Sequence, residues 1–140
     1  MVGHSLIAHL AQSQLDQKVL EWVQTHLTSD MSEIAFWADS IHSSSNNVLG
    51  SSKWQWSRPL HYVNTPPWNC TYDHERDCKN DICAYGAVKN YSSRLMNYKS
   101  PVEHQQDFFF LVHFASDIHQ PLHVGFNNDA GGNGVNGKHD

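Results

Sequence analysis

His113, Asp117 and His123 fall at intervals of four and six residues in the run His113-Phe-Ala-Ser-Asp117-Ile-His-Gln-Pro-Leu-His123. On a helix over 101–119, His113 and Asp117 stand one turn apart on one face, about 6 Å apart in rise. Pro121 ends such a helix, and His123 returns from the following loop. An imidazole and a carboxylate at i and i+4 is how a helix presents ligands to zinc. The preceding run, Phe108-Phe109-Phe110-Leu111-Val112, buries the helix. A buried Asp beside a His requires a partner or a metal ion, so the pattern reads as a metal site.

Zinc draws ligands from several elements, which brings in His4, Asp39 and His61, each at or near the end of an apolar segment. Each alone fits a structural role; beside the 113–123 cluster they read as further ligands. Histidine is also the compositional outlier, with eleven against nine Lys plus Arg. The histidines are spread along the chain, which fits a multi-metal site rather than a tag.

The elements that must position these residues are mainly helical. Residues 3–14 read as an amphipathic helix with Leu6, Ile7, Leu10 and Ala11 on one face and His4 near its start. Residues 16–27 repeat the pattern with Val19, Leu20, Val23 and Leu27. Thr28-Ser-Asp30 offers a cap for a third helix carrying Ile34, Phe36, Trp37 and Ile41. The Ser/Asn/Gly-rich stretch 43–52 is a loop, Leu60-His61-Tyr62-Val63 is short and extended, and 72–80 is a charged, disulfide-tethered loop. A helix runs from about Asp81 to Tyr98. Ser100-Pro101-Val-Glu103 then starts the helix that carries the metal motif, with Ser at the cap, Pro at N1 and Glu at N3. The end, Asn127 to Asp140, is rich in Gly and Asn and carries no apolar period, and no internal repeat is present.

The 140 residues make one domain, with 39% hydrophobic residues and no run approaching the ~20 apolar residues of a membrane span. The first residues are polar and contain His4, so no secretory leader is read there. A formal charge of -5 excludes a basic surface that coats nucleic acid. A polyanionic substrate must be attracted by something other than Lys and Arg, and bound zinc supplies positive charge locally. Cys70, Cys78 and Cys83 form no Cys-x-x-Cys pair, which disfavours thiolate zinc. Sequons at Asn69-Cys-Thr71 and Asn90-Tyr-Ser92, with the cysteine cluster, point to a glycoprotein in an oxidising compartment, secreted or of the secretory or lysosomal type. With an odd number of cysteines, one has no partner within the chain.

The sequence resembles the zinc-dependent single-strand nucleases of the S1/P1 type, fold relatives of bacterial zinc phospholipase C. The matching stretches are Gly3-His4, Trp37-Ala38-Asp39, Leu60-His61-Tyr62-Val63-Asn64, Cys70 with Cys78-x4-Cys83, the 113–123 motif followed by Val124-Gly125, and Gly131-Gly132-Asn133. They occur in the family's order and span nearly all of the chain.

The resemblance implies an all-α fold with long loops and three zinc ions in a cleft. It implies that Asp39, His61, His113 and Asp117 hold the first zinc, that Asp117 bridges to a neighbour also ligated by His4, and that His123 ligates the remaining ion. It gives catalytic roles to Asp39, Asp117 and His42, and substrate contacts to Tyr62 and Asn64. It pairs Cys78 with Cys83 and leaves Cys70 for a partner outside the chain. The implied activity is hydrolysis of single-stranded DNA and RNA to 5′-phosphate products, with 3′-nucleotidase activity as a companion. The implied partner is single-stranded nucleic acid or a nucleotide, with no membrane and no obligate protein partner. Rival readings are a zinc phospholipase C and a non-catalytic zinc-binding fragment whose metals only stabilise the fold.

The chain departs from the family pattern in four respects. The N-terminal Trp whose amino group and carbonyl complete one site lies outside it. His139 and Asp140 are adjacent, where the family has a His and an Asp four apart, so His139 reads as a loop residue. Both departures predict a single nuclease domain over 1–140, truncated at each end and impaired in metal binding. His42 stands where the family often has Arg or Lys, and Asn64 stands at a base-contacting carboxylate position.

Overall fold

Ser100 accepts from the backbone N–H of Glu103 at 3.3 Å and donates to its Oε2 at 2.7 Å. With Pro101 in the first turn, this cap starts the longest helix of the protein, Pro101–Asp117. The computed structural model describes residues 2–27, 30–42, 53–97, 100–129 and 131–132. Before the long helix come α1 (Val2–Gln14), α2 (Gln17–His26), α3 (Met31–Ile34), α4 (Trp37–Ser40), α5 (His74–Asp77) and α6 (Ala84–Leu95), which makes Pro101–Asp117 helix α7. Short 3-10 helices occupy Gln55–His61, Lys79–Asp81 and Pro121–Val124. Among the described residues the only β pairing is an isolated parallel bridge between Thr65 and Phe126. The all-α expectation is met.

Helix α7 is the axis on which the rest packs, because it is apolar on more than one side. Phe108 and Val112 face a cluster with Ala8, Val23, Leu27, Met31, Ile34 and Ala35. Phe110 and Phe114 face another with Ala38, Ala87 and Tyr91. Arg94 ties α6 to α7 by donating to both carboxylate oxygens of the buried Asp107, with Nε at 2.8 Å from each. A third cluster of Val63, Cys78, Cys83 and Ala84 surrounds the Cys78–Cys83 disulfide.

Several sequence expectations are corrected. Helix α1 does not bury Leu6 and Leu10, which are 64% and 63% exposed. Its inner stripe is instead His4, Ser5, Ala8 and Gln12. His4 reaches Asp117, Ser5 donates to the carbonyl of Ser32, and Gln12 accepts from the backbone N–H of Met31. These polar anchors set the rotation of the helix. The third helix is broken into α3 and α4 at Ala35 and Phe36, capped by Asp30 as expected; Thr28 and Ser29 lie outside the described residues. The break has a use: Asp39 N–H donates to Phe36 rather than to Ala35, so the Ala35 carbonyl is left for His113.

Leu60 and His61 end a 3-10 helix, and extended backbone begins only at Tyr62. Pro59 fixes φ near the helical value, so it continues that turn. The 72–80 loop contains helix α5, capped by Asp73, which accepts from Arg76 N–H at 3.1 Å. The helix expected over Asp81–Tyr98 is Ala84–Leu95, and the helix carrying His113 ends at Asp117 rather than at 119. The 43–52 loop, Asn133 and His139 lie outside the described residues.

Candidate metal centre

The last turns of α7 bring His113 and Asp117 to one face, fully buried at 0% and 1% exposure. Four other elements close on them. Helix α1 delivers His4, α4 delivers Asp39, the Gln55–His61 turn delivers His61, and the Pro121–Val124 turn delivers His123. His4 Nε2 lies 2.8 Å from Asp117 Oδ1, and His123 Nε2 lies 3.8 Å from the same oxygen. On the other oxygen, Asp117 Oδ2, His61 Nδ1 is at 3.1 Å and His113 Nε2 at 3.3 Å. Asp39 Oδ1 completes that side at 3.5 Å from His113 Nε2 and 3.7 Å from His61 Nδ1. All six residues proposed from the sequence as ligands therefore converge. Asp117 stands between them with one oxygen turned to each pair of imidazoles.

The donor chemistry fits a cation. His113 Nδ1 lies 2.6 Å from the carbonyl of Ala35, which can only accept, so Nδ1 carries the proton. In the neutral ring Nε2 is then a lone pair, facing His61 Nδ1 at 3.0 Å and two carboxylates. His123 repeats the device: Nδ1 donates to the Gly131 carbonyl at 2.9 Å, leaving Nε2 toward Asp117. Backbone carbonyls thus fix both rings with the second nitrogen bare, as they do for metal-ligating histidines. Asp117 Oδ2 is buried without a hydrogen bond of acceptable geometry, despite the two nearby ring nitrogens. A cation satisfies that oxygen and the converging lone pairs together. Imidazoles with carboxylates are a donor set that zinc accepts.

Without a cation, the centre adjusts its protons. Burial alone would lower the pKa of His113, but the Asp117 and Asp39 carboxylates facing its ring overcome this and raise it to about 9. Burial would raise Asp117, yet His113, His4 and His61 hold it far below the usual carboxylate range. Asp39 follows the same logic: burial opposes ionisation, and His113 lowers its pKa. The carboxylates and His113 therefore favour a positive charge between them.

Two solvent-open cavities flank the donors and share Asp39 and His123. One, of about 390 Å³, is lined by His4, His119 and Gln120; the other, of about 430 Å³, by His42, Arg58, His61 and Tyr62. His42 is held by Ser57, whose Oγ is 3.0 Å from Nε2, and its ring lies 5.6 Å from that of His61. Burial, then the neighbouring His61 and Arg58, lower its pKa. Tyr62 reaches the cavity, but Asn64 does not line either one, and its Oδ1 is buried without a hydrogen-bond partner. Cys78 and Cys83 are bonded, and Cys70 is exposed and free. The sequence reading missed the Ala35 and Gly131 carbonyls, which carry no side-chain signal. It also missed Arg58, whose signal is a lone cation three residues ahead of the candidate ligand His61.

A helical scaffold with a carboxylate-bridged imidazole cluster in an open cleft defines a candidate hydrolytic metal centre. The S1/P1 Nuclease family model matches residues 1–140, and the chain belongs to that family. It is 36% identical to Endonuclease 2 of Arabidopsis thaliana over 148 residues, covering 95% of this chain and 48% of that protein. It is 35% identical to Nuclease P1 of Penicillium citrinum over 130 residues, covering 87% of this chain and 46% of that protein. Nuclease S1 of Aspergillus oryzae is 32% identical over 146 residues, covering 99% and 48%. The chain spans about half the length of these curated relatives.

Proposed function

We propose that this chain carries the centre of a zinc-dependent phosphodiesterase that hydrolyses single-stranded DNA and RNA to 5′-phosphate products. The observation that carries the reading is Asp117, whose two oxygens face two separate sets of imidazoles. His4, Asp39, His61, His113, Asp117 and His123 would hold the metal. Zinc bound there supplies a water of lowered pKa near neutrality and positive charge for a phosphate. His113 keeps its bare nitrogen aimed inward through the Ala35 carbonyl, and His123 does the same through Gly131. Asp39 is half-exposed and opens the donors to both cavities, which supports a centre that admits substrate over one that is closed and structural. Tyr62, 39% exposed in the larger cavity, offers a ring on which an unstacked base can lie, which favours single strands over duplex. His42, fixed by Ser57, faces the same space.

The buried Cys78–Cys83 disulfide supports an oxidising, secretory-type compartment. Asn90 lies exposed on α6 and Asn69 is half-buried, so the first is the better glycosylation acceptor. Among the described residues no helix is long and apolar enough to cross a membrane.

The test is metal analysis of the purified chain, with cleavage of single-stranded and duplex DNA assayed on the same sample. Bound zinc with 5′-phosphate products from single strands supports the reading. A folded chain that binds no zinc overturns the metal assignment, and bound zinc without any affinity for nucleic acid overturns the substrate assignment.

A further inference from the structure

Arg58 sits three residues before His61 in the Gln55–His61 turn, and at three residues per turn their side chains share one side of the helix. It is exposed and lines the larger cavity with Asp39, His42, His61 and Tyr62. Of the chain's three arginines, Arg76 pairs with Asp77 and Arg94 with Asp107. Arg58 has no carboxylate partner among the described residues. Its guanidinium is close enough to His42 to act on that ring's charge.

Among the described residues the other side chains of the cavity wall are carboxylate, imidazole and phenol, so Arg58 supplies the one fixed positive charge among them. The chain as a whole carries -5, so a polyanion gains little from long-range attraction. A local cation must capture it. The planar fork of a guanidinium matches two non-bridging oxygens of one phosphate, and an aromatic ring in the same cavity matches the base beside it.

We propose that Arg58 is a phosphate-positioning residue, whose guanidinium receives a phosphodiester of single-stranded nucleic acid at the mouth of the donor cluster. This assignment rests on the nucleic-acid reading above. Arg58 touches none of the candidate ligands by a hydrogen bond or ion pair among the described residues, so Arg58→Ala is expected to leave the centre and the fold intact.

The experiment is fluorescence anisotropy of a labelled, phosphorothioate-linked oligothymidylate with the zinc-treated 140-residue chain, across a salt series. Arg58→Ala is expected to weaken binding roughly tenfold, the worth of one charge-assisted hydrogen-bonded contact. It should also flatten the slope of log affinity against log salt by about 0.7, the value for one phosphate contact on a single strand. Arg58→Lys should recover the slope and only part of the affinity, because a point charge replaces the fork. Lys18→Ala on α2, outside both cavities, should leave affinity and slope at their wild-type values. An unchanged slope and affinity in Arg58→Ala, with the wild type binding, overturns the assignment of Arg58 alone. A wild-type chain that binds zinc but not the oligonucleotide overturns the nucleic-acid reading, and this assignment with it.

Discussion

His4 and Asp117 are 113 residues apart in sequence and meet at 2.8 Å, Nε2 to Oδ1. The same His4 ring stacks on His113 with centroids 4.3 Å apart and planes inclined by 18°. One histidine near the start of the chain is thus seated on both chemical residues of α7. The rotation of α1 follows from that seat, which explains why Ala8 faces inward while Leu6 and Leu10 face out. Site and fold are coupled here: whatever satisfies Asp117 also holds α1 in place.

Replacing Asp117 by Asn should therefore remove zinc binding and its stabilisation together. Zinc at a thousandfold excess over its dissociation constant stabilises the native chain by about 4 kcal/mol. An amide keeps the shape of the side chain but loses the charge that both imidazole pairs face. Thermal unfolding with and without added zinc measures the difference. The wild type should gain about 10 °C and Asp117→Asn less than about a quarter of that. An equal gain in both proteins would show that zinc stabilises through some other site.

The chelated chain should lose stability as the pH rises past neutrality. His113 is raised to about 9, with burial opposing and Asp117 and Asp39 prevailing. A folded-state pKa above the unfolded value of about 6.5 gives stabilisation that is full below pH 6.5 and lost as pH climbs through 9. The span is worth on the order of 3 kcal/mol. Asp117 has the opposite sign: its pKa is depressed, so its contribution is present above the ordinary carboxylate value and lost in acid. Urea unfolding in chelator at pH 6, 8 and 10 reads the alkaline arm. His113→Gln should abolish the slope, and a wild-type profile that is flat from 6 to 10 would contradict the shift.

Much of this centre was legible in the sequence. The four-residue spacing of His113 and Asp117 is a helical period, and the aromatic run before it announces burial. Pro121 marks where the chain turns back to bring His123 in. What the sequence concealed was set by polar contacts over long separations. No apolar period reveals that α1 is rotated by His4, Ser5 and Gln12 rather than by its leucines. The break at Ala35 is equally silent, because its purpose is a backbone carbonyl given to His113. Asn64 shows the limit of motif matching: it follows Tyr62-Val63 in the pattern, yet only Tyr62 reaches the cavity.

Gly86 on α6 should be irreplaceable even by alanine, despite alanine's better helix propensity. A Cβ there would overlap the carbonyl oxygen of Asp81 and lie 2.7 Å from its carbonyl carbon and 2.8 Å from its Cα. Those are backbone atoms, held by Asp81 N–H on the Cys78 carbonyl and by left-handed φ values of 59° at Asn80 and Asp81. The propensity gain is about 1 kcal/mol, while overpacking against backbone costs up to about 3 kcal/mol. Gly86→Ala should therefore be destabilised by about 2 kcal/mol in urea unfolding. A variant as stable as the wild type would mean that the 79–81 turn yields freely.

The Cys78–Cys83 disulfide, which spans that turn, packs beside the segment leading from His61. Cys78 and Cys83 are 0% and 2% exposed and pack against Val63. Val63 N–H donates to the carbonyl of the candidate ligand His123 at 2.8 Å, and Ala84 N–H donates to the carbonyl of Tyr62 at 3.0 Å. The disulfide therefore braces the strap that carries both His61 and Tyr62. The double variant Cys78→Ser/Cys83→Ser frees a short loop in the unfolded chain, at a cost of about 2 kcal/mol. It also places two hydroxyls in a site built for sulfur, which adds to the loss. None of the six candidate ligands is altered, so zinc should still bind, with an affinity weakened several-fold because the strap is looser. Competition for zinc against a chelating dye, run beside thermal unfolding, separates the two effects. A drop in melting temperature with unchanged zinc affinity would show that the disulfide supports the fold alone. A complete loss of zinc from a folded variant would show that the strap, rather than α7, is what organises the centre.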